Sequence, residues 1–114
     1  WLLKNPKTNK STHFKSEKNN SKKAILRYKL LKKLDRYNLI EVKLETGRHH
    51  QIRCQLHAID CPIRGDLKYG YDRSNVDGGI DLHAKTIIFE HPVRKNIIKI
   101  NAPVKKNKIW SATQ

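Results

Sequence analysis

NLIEVKLETGRHHQIRCQLHAI, residues 38–59, changes its period halfway along. From Asn38 to Glu45, apolar and polar residues alternate. Ile40, Val42 and Leu44 fall on one face, and Glu41, Lys43 and Glu45 on the other. Alternation of this kind marks a half-buried strand. Thr46 or Gly47 breaks the strand, and from about His49 to Ile59 the spacing becomes helical. Ile52, Leu56 and Ile59 share one face, which is expected to pack on the sheet. His50, Arg53, Cys54 and His57 share the opposite side. Cys61-Pro62 should end the helix, because proline disfavours helical geometry in the residue before it.

Upstream, AILRYKLLKKL (residues 24–34) is ambiguous between helix and strand. Ile25, Arg27 and Lys29 lie opposite Leu26, Tyr28 and Leu30. Asp35–Asn38 reads as a turn, so this segment and residues 38–47 form an antiparallel hairpin. Residues 4–23 are polar and lysine-rich and read as a flexible basic segment, a loop or mobile arm. Downstream, residues 63–79 form a loop rich in Gly and Asp. Residues 80–92 and 95–103 read as two further strands, the second ended by Pro103. No internal repeat is visible. The order β-β-α-loop-β-β predicts an α+β domain: an antiparallel β-sheet with one main helix packed on it.

The 114 residues suffice for one domain. Lys and Arg number 25 against 10 acids, a formal net charge of +15. Between Trp1 and Leu34 there are eleven Lys or Arg and a single acid, Glu17. So much like charge repels itself in a compact chain, and a polyanion relieves the repulsion. Nucleic acid is the leading partner class, because phosphates release counterions when cations neutralise them. A membrane is not indicated: there is no spanning apolar run, no signal-peptide pattern and no basic amphipathic helix. Two cysteines, Cys54 and Cys61, are too few for a disulfide framework and fit a reduced, cytoplasmic setting. With no methionine and Trp1 in first place, the sequence reads as a piece of a longer protein.

The chemistry concentrates in TGRHHQIRCQLH, residues 46–57. Arg48 stands at the strand-to-helix junction, where backbone N–H groups and the helix dipole favour an anion. Its planar guanidinium suits phosphate or carboxylate. Arg53, one turn into the helix, points away from the apolar face. Beside His50 and Gln51 the two arginines make a polar pocket with several donors.

LETGRHHQIRCQLHAIDCPIRGDLKYG (residues 44–70), followed by LHAKTIIFEHP (residues 82–92), resembles the C-terminal part of the catalytic domain of RluA-type RNA pseudouridine synthases. The family's T-G-R-x-H-Q-I-R segment matches at Thr46, Gly47, Arg48, His50, Gln51, Ile52 and Arg53. Its P-I-x-G-D-x-x-Y-G segment matches at Pro62, Ile63, Gly65, Asp66, Tyr69 and Gly70. L-H-A and H-P follow at Leu82–Ala84 and His91-Pro92. The resemblance covers roughly residues 24–103, with His49 where the family has Thr or Ser.

The resemblance implies isomerisation of uridine to pseudouridine in ribosomal or transfer RNA, with no cofactor and no metal. It places the catalytic aspartate and an active-site tyrosine on segments upstream of this chain. Asp35, eleven residues before Thr46 and in the hairpin turn, does not match that aspartate, and Tyr28 is not in the tyrosine's context. The basic residue matching Arg53 then pairs with an aspartate absent from this chain, and the chain alone is expected to be inactive. Arg48, His50 and Gln51 shape the floor of the site or contact RNA phosphate. Ile52 packs beside the flipped base or under the helix. Asp66 either caps a short helix or binds Arg64; Gly65 and Tyr69 hold the loop. His83 and His91 are expected to be buried or hydrogen-bonded.

Two rival readings use the same residues. His50, Cys54, His57 and Cys61 lie on one side of the helix and are metal-ligand types, but four ligands from one helix cannot close a tetrahedron around one zinc ion. A non-catalytic RNA-binding module that lacks the nucleophile would keep the basic segment and the helix, and would bind RNA with a steep salt dependence and no turnover.

Overall fold

The computed structural model describes residues 1–90, 92–101 and 110. Its elements are β1 (Leu2–Asn5), β2 (Lys10–His13), β3 (Leu26–Lys33), β4 (Asn38–Leu44), α1 (Gln51–Ala58), a 3-10 turn at Leu67–Tyr69, β5 (Thr86–Glu90) and β6 (Ile97–Asn101). The class is α+β. Among the described residues the strands pair as three two-stranded antiparallel sheets, β1–β2, β3–β4 and β5–β6. The chain divides into two units, Trp1–Asp81 and Leu82–Gln114.

The alternation at residues 38–47 does become a strand paired with the segment before it. Leu26, Tyr28 and Leu30 stand opposite Leu44, Val42 and Ile40. A register shift at Leu31 marks a β-bulge. On the other face, Arg27 bonds Glu45 at 2.7 Å and Lys29 meets Glu41 at 3.7 Å. These exposed pairs contribute little to stability. The apolar face is more open than alternation alone suggests, with Tyr28, Leu30 and Leu44 each about half exposed.

Residues 4–23, expected as a flexible arm, instead carry most of the β1–β2 hairpin. The turn is made by asparagine chemistry. The Asn5 side chain accepts the Lys7 N–H at 3.0 Å, and Asn9 takes a left-handed conformation at φ 53°. Leu2 is buried, and its N–H and C=O both pair with Lys22 at 2.8 Å. Ser11 is buried too and turns toward α1. Lysine-rich composition hides the hairpin because one leucine and one serine supply its inward side.

α1 packs against β2 and the 3-10 turn. Its buried residues are Gln51, Cys54 and Leu56, not the expected Ile52, Leu56 and Ile59 stripe. Ile59 is the C-terminal cap residue and about half exposed. The helix stops before Cys61-Pro62. Asp60 turns left-handed at φ 58°, the Cys61 N–H reaches the Leu56 carbonyl at 2.9 Å, and the Asp60 N–H reaches the His57 carbonyl at 3.0 Å. That pair of bonds is a Schellman motif, with aspartate where glycine is usual. Leu2, Cys54 and Tyr69 form the small core, with Ala24 packed against it.

In the second unit, β5 and β6 pair antiparallel from Thr86↔Asn101 to Glu90↔Ile97. Both expected strands are present but shorter, since residues 80–85 are not strand. His83 is half-buried and meets Trp110 edge-on at 6.0 Å. The expectations for His91 and Pro103 lie outside the described residues.

Candidate active site

The junction between β4 and α1 is fastened by one side chain. Gln51 is only 3% exposed, yet its amide is satisfied. Its Oε1 accepts the Thr46 hydroxyl at 2.7 Å and the Arg48 N–H at 3.0 Å, and its Nε2 donates to the Ile25 carbonyl at 3.1 Å. Burying an amide is tolerated only when its hydrogen bonds are made. Gln51 therefore ties the start of the helix to the start of β3. Thr46 Oγ1 also accepts the Ile25 N–H at 2.9 Å. Arg48 is exposed, and its Nε is tethered to the Lys23 carbonyl at 2.9 Å.

His50 caps α1 in a left-handed conformation, φ 51°, without a side-chain cap bond. That geometry costs a non-glycine residue about 1–2 kcal/mol, and the ring's contacts offset it. His50 stacks on His49 at 3.7 Å, and its Nδ1 lies 2.8 Å from the Tyr69 hydroxyl. Tyr69 Oη already accepts the buried Ser11 N–H at 2.8 Å. Its own proton is then free to go to His50 Nδ1, which requires a neutral imidazole. The electrostatics agree: burial, then Arg53 and His49, hold the His50 pKa below its ordinary value. His49 is lowered as well, by burial and then Lys4. The Ser11 hydroxyl donates to the His49 carbonyl at 2.8 Å, so its 3.1 Å contact with His49 Nδ1 must be donated by the imidazole. Burial raises the Tyr69 pKa, which keeps the phenol protonated.

Arg53 has a partner that the sequence reading did not name. It is paired within this chain, to Asp66, by Nε to Oδ2 at 2.9 Å and Nη2 to Oδ1 at 2.8 Å. Asp66 is 1% exposed. It binds Arg53 rather than Arg64, and its side chain caps no helix. Arg64 goes instead to Asp81 at 2.8 Å. The sequence offered Arg64 as the neighbour two positions away, but the turn from Ile63 to Tyr69 carries the Asp66 side chain back under α1. The Tyr69 ring lies under the guanidinium, 4.9 Å from Cζ. The hydrogen bond to Asp66 holds the Arg53 pKa above its ordinary value. Removing one partner of so buried a pair would cost about 3–5 kcal/mol.

Arg53, His50 and Gln51 thus belong to one connected junction, with Arg48 at its rim and Ile52 half-buried on the same helix. Ser11, Asp66 and Tyr69 join them and were not singled out for this role. The G-D-x-x-Y-G spacing pointed to the last two, but nothing local in the sequence distinguishes Ser11. The proposed metal ligands do not converge. Cys54 is buried in the core and Cys61 is exposed. Among the described residues, no three His, Cys, Asp or Glu side chains are grouped to hold a metal. Among the described residues, no helix is long and apolar enough to cross a membrane.

Comparison with known proteins places this junction in a family. Residues 2–58, half of the chain, match the family described as RNA pseudouridylate synthase. An uncharacterised RNA pseudouridine synthase of Bacillus subtilis is 38% identical over 84 residues, 73% of this chain and 27% of its own length. The ribosomal large subunit pseudouridine synthase D of Xylella fastidiosa is 35% identical over 96 residues, 73% of this chain and 29% of its own length. The ribosomal large subunit pseudouridine synthase C of Vibrio parahaemolyticus is 37% identical over 91 residues, 75% of this chain and 29% of its own length. The chain thus spans less than a third of the length of these relatives. No solved structure was found to match it. With the matched segment running through β1 to α1 and carrying both arginines, the chain belongs to the RNA pseudouridylate synthase family.

Proposed function

We propose that this chain is the arginine-bearing, C-terminal portion of a cytoplasmic RNA pseudouridine synthase catalytic domain that acts on ribosomal RNA. The names of the synthase C and synthase D relatives support ribosomal RNA over transfer RNA. In the reaction, the C1′–N1 bond of uridine breaks, the uracil turns, and C1′ bonds to C5. The C5 proton leaves and N1 gains one, so no cofactor or metal is needed. The target base is flipped out of its stack into the site. The nucleophilic aspartate is supplied by an upstream segment of the same domain, and the chain alone is inactive.

Arg53 carries this reading. It sits where the family's T-G-R-x-H-Q-I-R pattern puts the partner of the catalytic carboxylate, and the Tyr69 ring and Asp66 hold its guanidinium in place. A carboxylate in a water-poor pocket needs such a partner to stay charged. Asp66 occupies Nε and Nη2, so the incoming aspartate meets Nη1. Arg48 and the exposed lysines of β1 and β2 take RNA phosphate, while Gln51 and His50 shape the floor beneath them. The open apolar face of Leu26, Tyr28, Leu30, Val42 and Leu44 supports a further layer of the domain covering β3–β4.

A second reading draws on the same ion pair. Because Asp66 already neutralises Arg53, the chain could act as an RNA-binding module with no nucleophile. Release of the C5 hydrogen from C5-tritiated ribosomal RNA, assayed with the protein that carries this chain, separates the two. Turnover supports the synthase. RNA binding that falls steeply with salt but gives no release supports the module.

A further inference from the structure

Asp66 is held more firmly than an ion pair requires. Its N–H donates to the Ile63 carbonyl at 3.0 Å, and its own carbonyl accepts the N–H groups of Tyr69 at 3.3 Å and Tyr71 at 2.9 Å. Gly65 enters the turn at φ 87°, where an added Cβ would stand 2.8 Å from the Gly79 carbonyl oxygen. The carboxylate is therefore fixed by its own backbone, not only by Arg53. Both its oxygens are then spent on one edge of the guanidinium, in the fork geometry that fixes direction as well as distance. Tyr69 supplies a surface under the plane and is itself anchored through its hydroxyl to Ser11 and His50. A flexible arginine side chain is reduced to one orientation.

We propose that Asp66 is a positioning residue for Arg53: it orients the guanidinium so that Nη1 faces the reacting carboxylate, with the Tyr69 ring fixing the plane. This rests on the reading of Arg53 as partner of the catalytic aspartate. Asp66 touches neither RNA nor the reacting atoms and acts only through Arg53. The ammonium of a lysine, a single point charge, could not give this orientation, whereas the planar fork of an arginine with a bidentate partner does. The requirement is geometric, and an error of about 1 Å at such a site can cost about a hundredfold in rate.

The test uses the protein with its complete catalytic domain and measures kcat and KM for ribosomal RNA, with thermal unfolding in parallel. The variants are Arg53→Lys, Asp66→Asn and both together. The expected result is a fall in kcat of about 10- to 100-fold in Asp66→Asn with KM nearly unchanged. The double variant should be no slower than Arg53→Lys, because Asp66 has no route to the reaction once Arg53 is gone. A purely structural Asp66 would instead lower activity in proportion to the folded fraction and add to the loss in Arg53→Lys. If Arg53→Lys loses turnover while Asp66→Asn keeps the parent kcat, the positioning role is wrong and the reading of Arg53 stands. If Arg53→Lys keeps the parent kcat, the reading of Arg53 fails and this inference fails with it. Should Asp66→Asn not fold, Asp66→Glu keeps the charge and moves it by one methylene. A fall in its kcat supports the role, and an unchanged kcat overturns it.

Discussion

Replacing Gln51 with alanine should unfasten the β4–α1 junction. Gln51 is buried and makes three hydrogen bonds, to Thr46, Arg48 and Ile25. Each is worth about 1 kcal/mol net, so the loss is about 3 kcal/mol before any cavity is counted. The Ile25 carbonyl keeps its bonds from the Glu45 and Thr46 N–H groups. The unsatisfied group is the Arg48 N–H. In urea, with a slope of about 1–3 kcal/mol per molar, the midpoint should fall by about 1–3 M.

Gln51→Glu makes the argument sharper. One oxygen can still accept from Thr46 and Arg48, but the other would face the Ile25 carbonyl, where the amide nitrogen now sits at 3.1 Å. The new carboxyl must stay protonated to donate there, so its folded pKa lies above the usual value of about 4.3. A raised folded pKa gives stability that is fully present below about pH 4.3 and is lost as pH rises through the folded value. The variant should therefore be weaker at neutral pH than in mild acid, relative to the parent. An alanine variant within about 0.5 kcal/mol of the parent, or a glutamate variant with no pH dependence of its own, would refute the role assigned to Gln51.

Three further outcomes follow from particular residues. Asp60→Gly should stabilise the protein by about 1 kcal/mol, because Asp60 holds φ 58° at the helix end, and a higher melting temperature would show it. Gly65→Ala should cost well over about 1 kcal/mol in chemical denaturation, since φ 87° and the Gly79 carbonyl leave no room for a Cβ. His49 and His50 both titrate below the ordinary 6.5 when folded. The unfolded chain then binds protons first, so stability should fall as pH drops below about 6.5, and the drop should shrink in His50→Asn. Melting temperatures between about pH 7 and pH 5.5 that are flat in the parent would contradict the neutral His50–Tyr69 bond.

The period change at Gly47 was the readable part of the fold. Alternation gave β4 and its pairing with β3, and the helical spacing gave α1. The β1–β2 hairpin was not legible from apolar pattern, because Leu2 and Ser11 are nearly its whole buried side. Its turn chemistry was visible, in Asn5-Pro6 and in Asn9, but lysine content outweighed it. The helix face was misread for a physical reason: a fully hydrogen-bonded Gln51 can be buried where an unbonded one cannot, and hydropathy does not record partners. At the site, the motif brings Arg53 forward as a candidate. Its bond to Asp66, thirteen residues on, depends on how the loop from Ile63 to Tyr69 folds back, and no local pattern encodes that.

Turnover of ribosomal RNA by Arg53→Lys in the protein with its complete catalytic domain, beside the parent and with both shown to be folded, tests the central claim most directly. Lysine keeps the charge but loses the fork that bonds Asp66 and that, on the proposed reading, meets the incoming carboxylate. Release of the C5 hydrogen should fall by about a hundredfold or more while RNA binding holds within a few-fold. Release at the parent rate would contradict the account, and Arg53 would then be part of the fold alone.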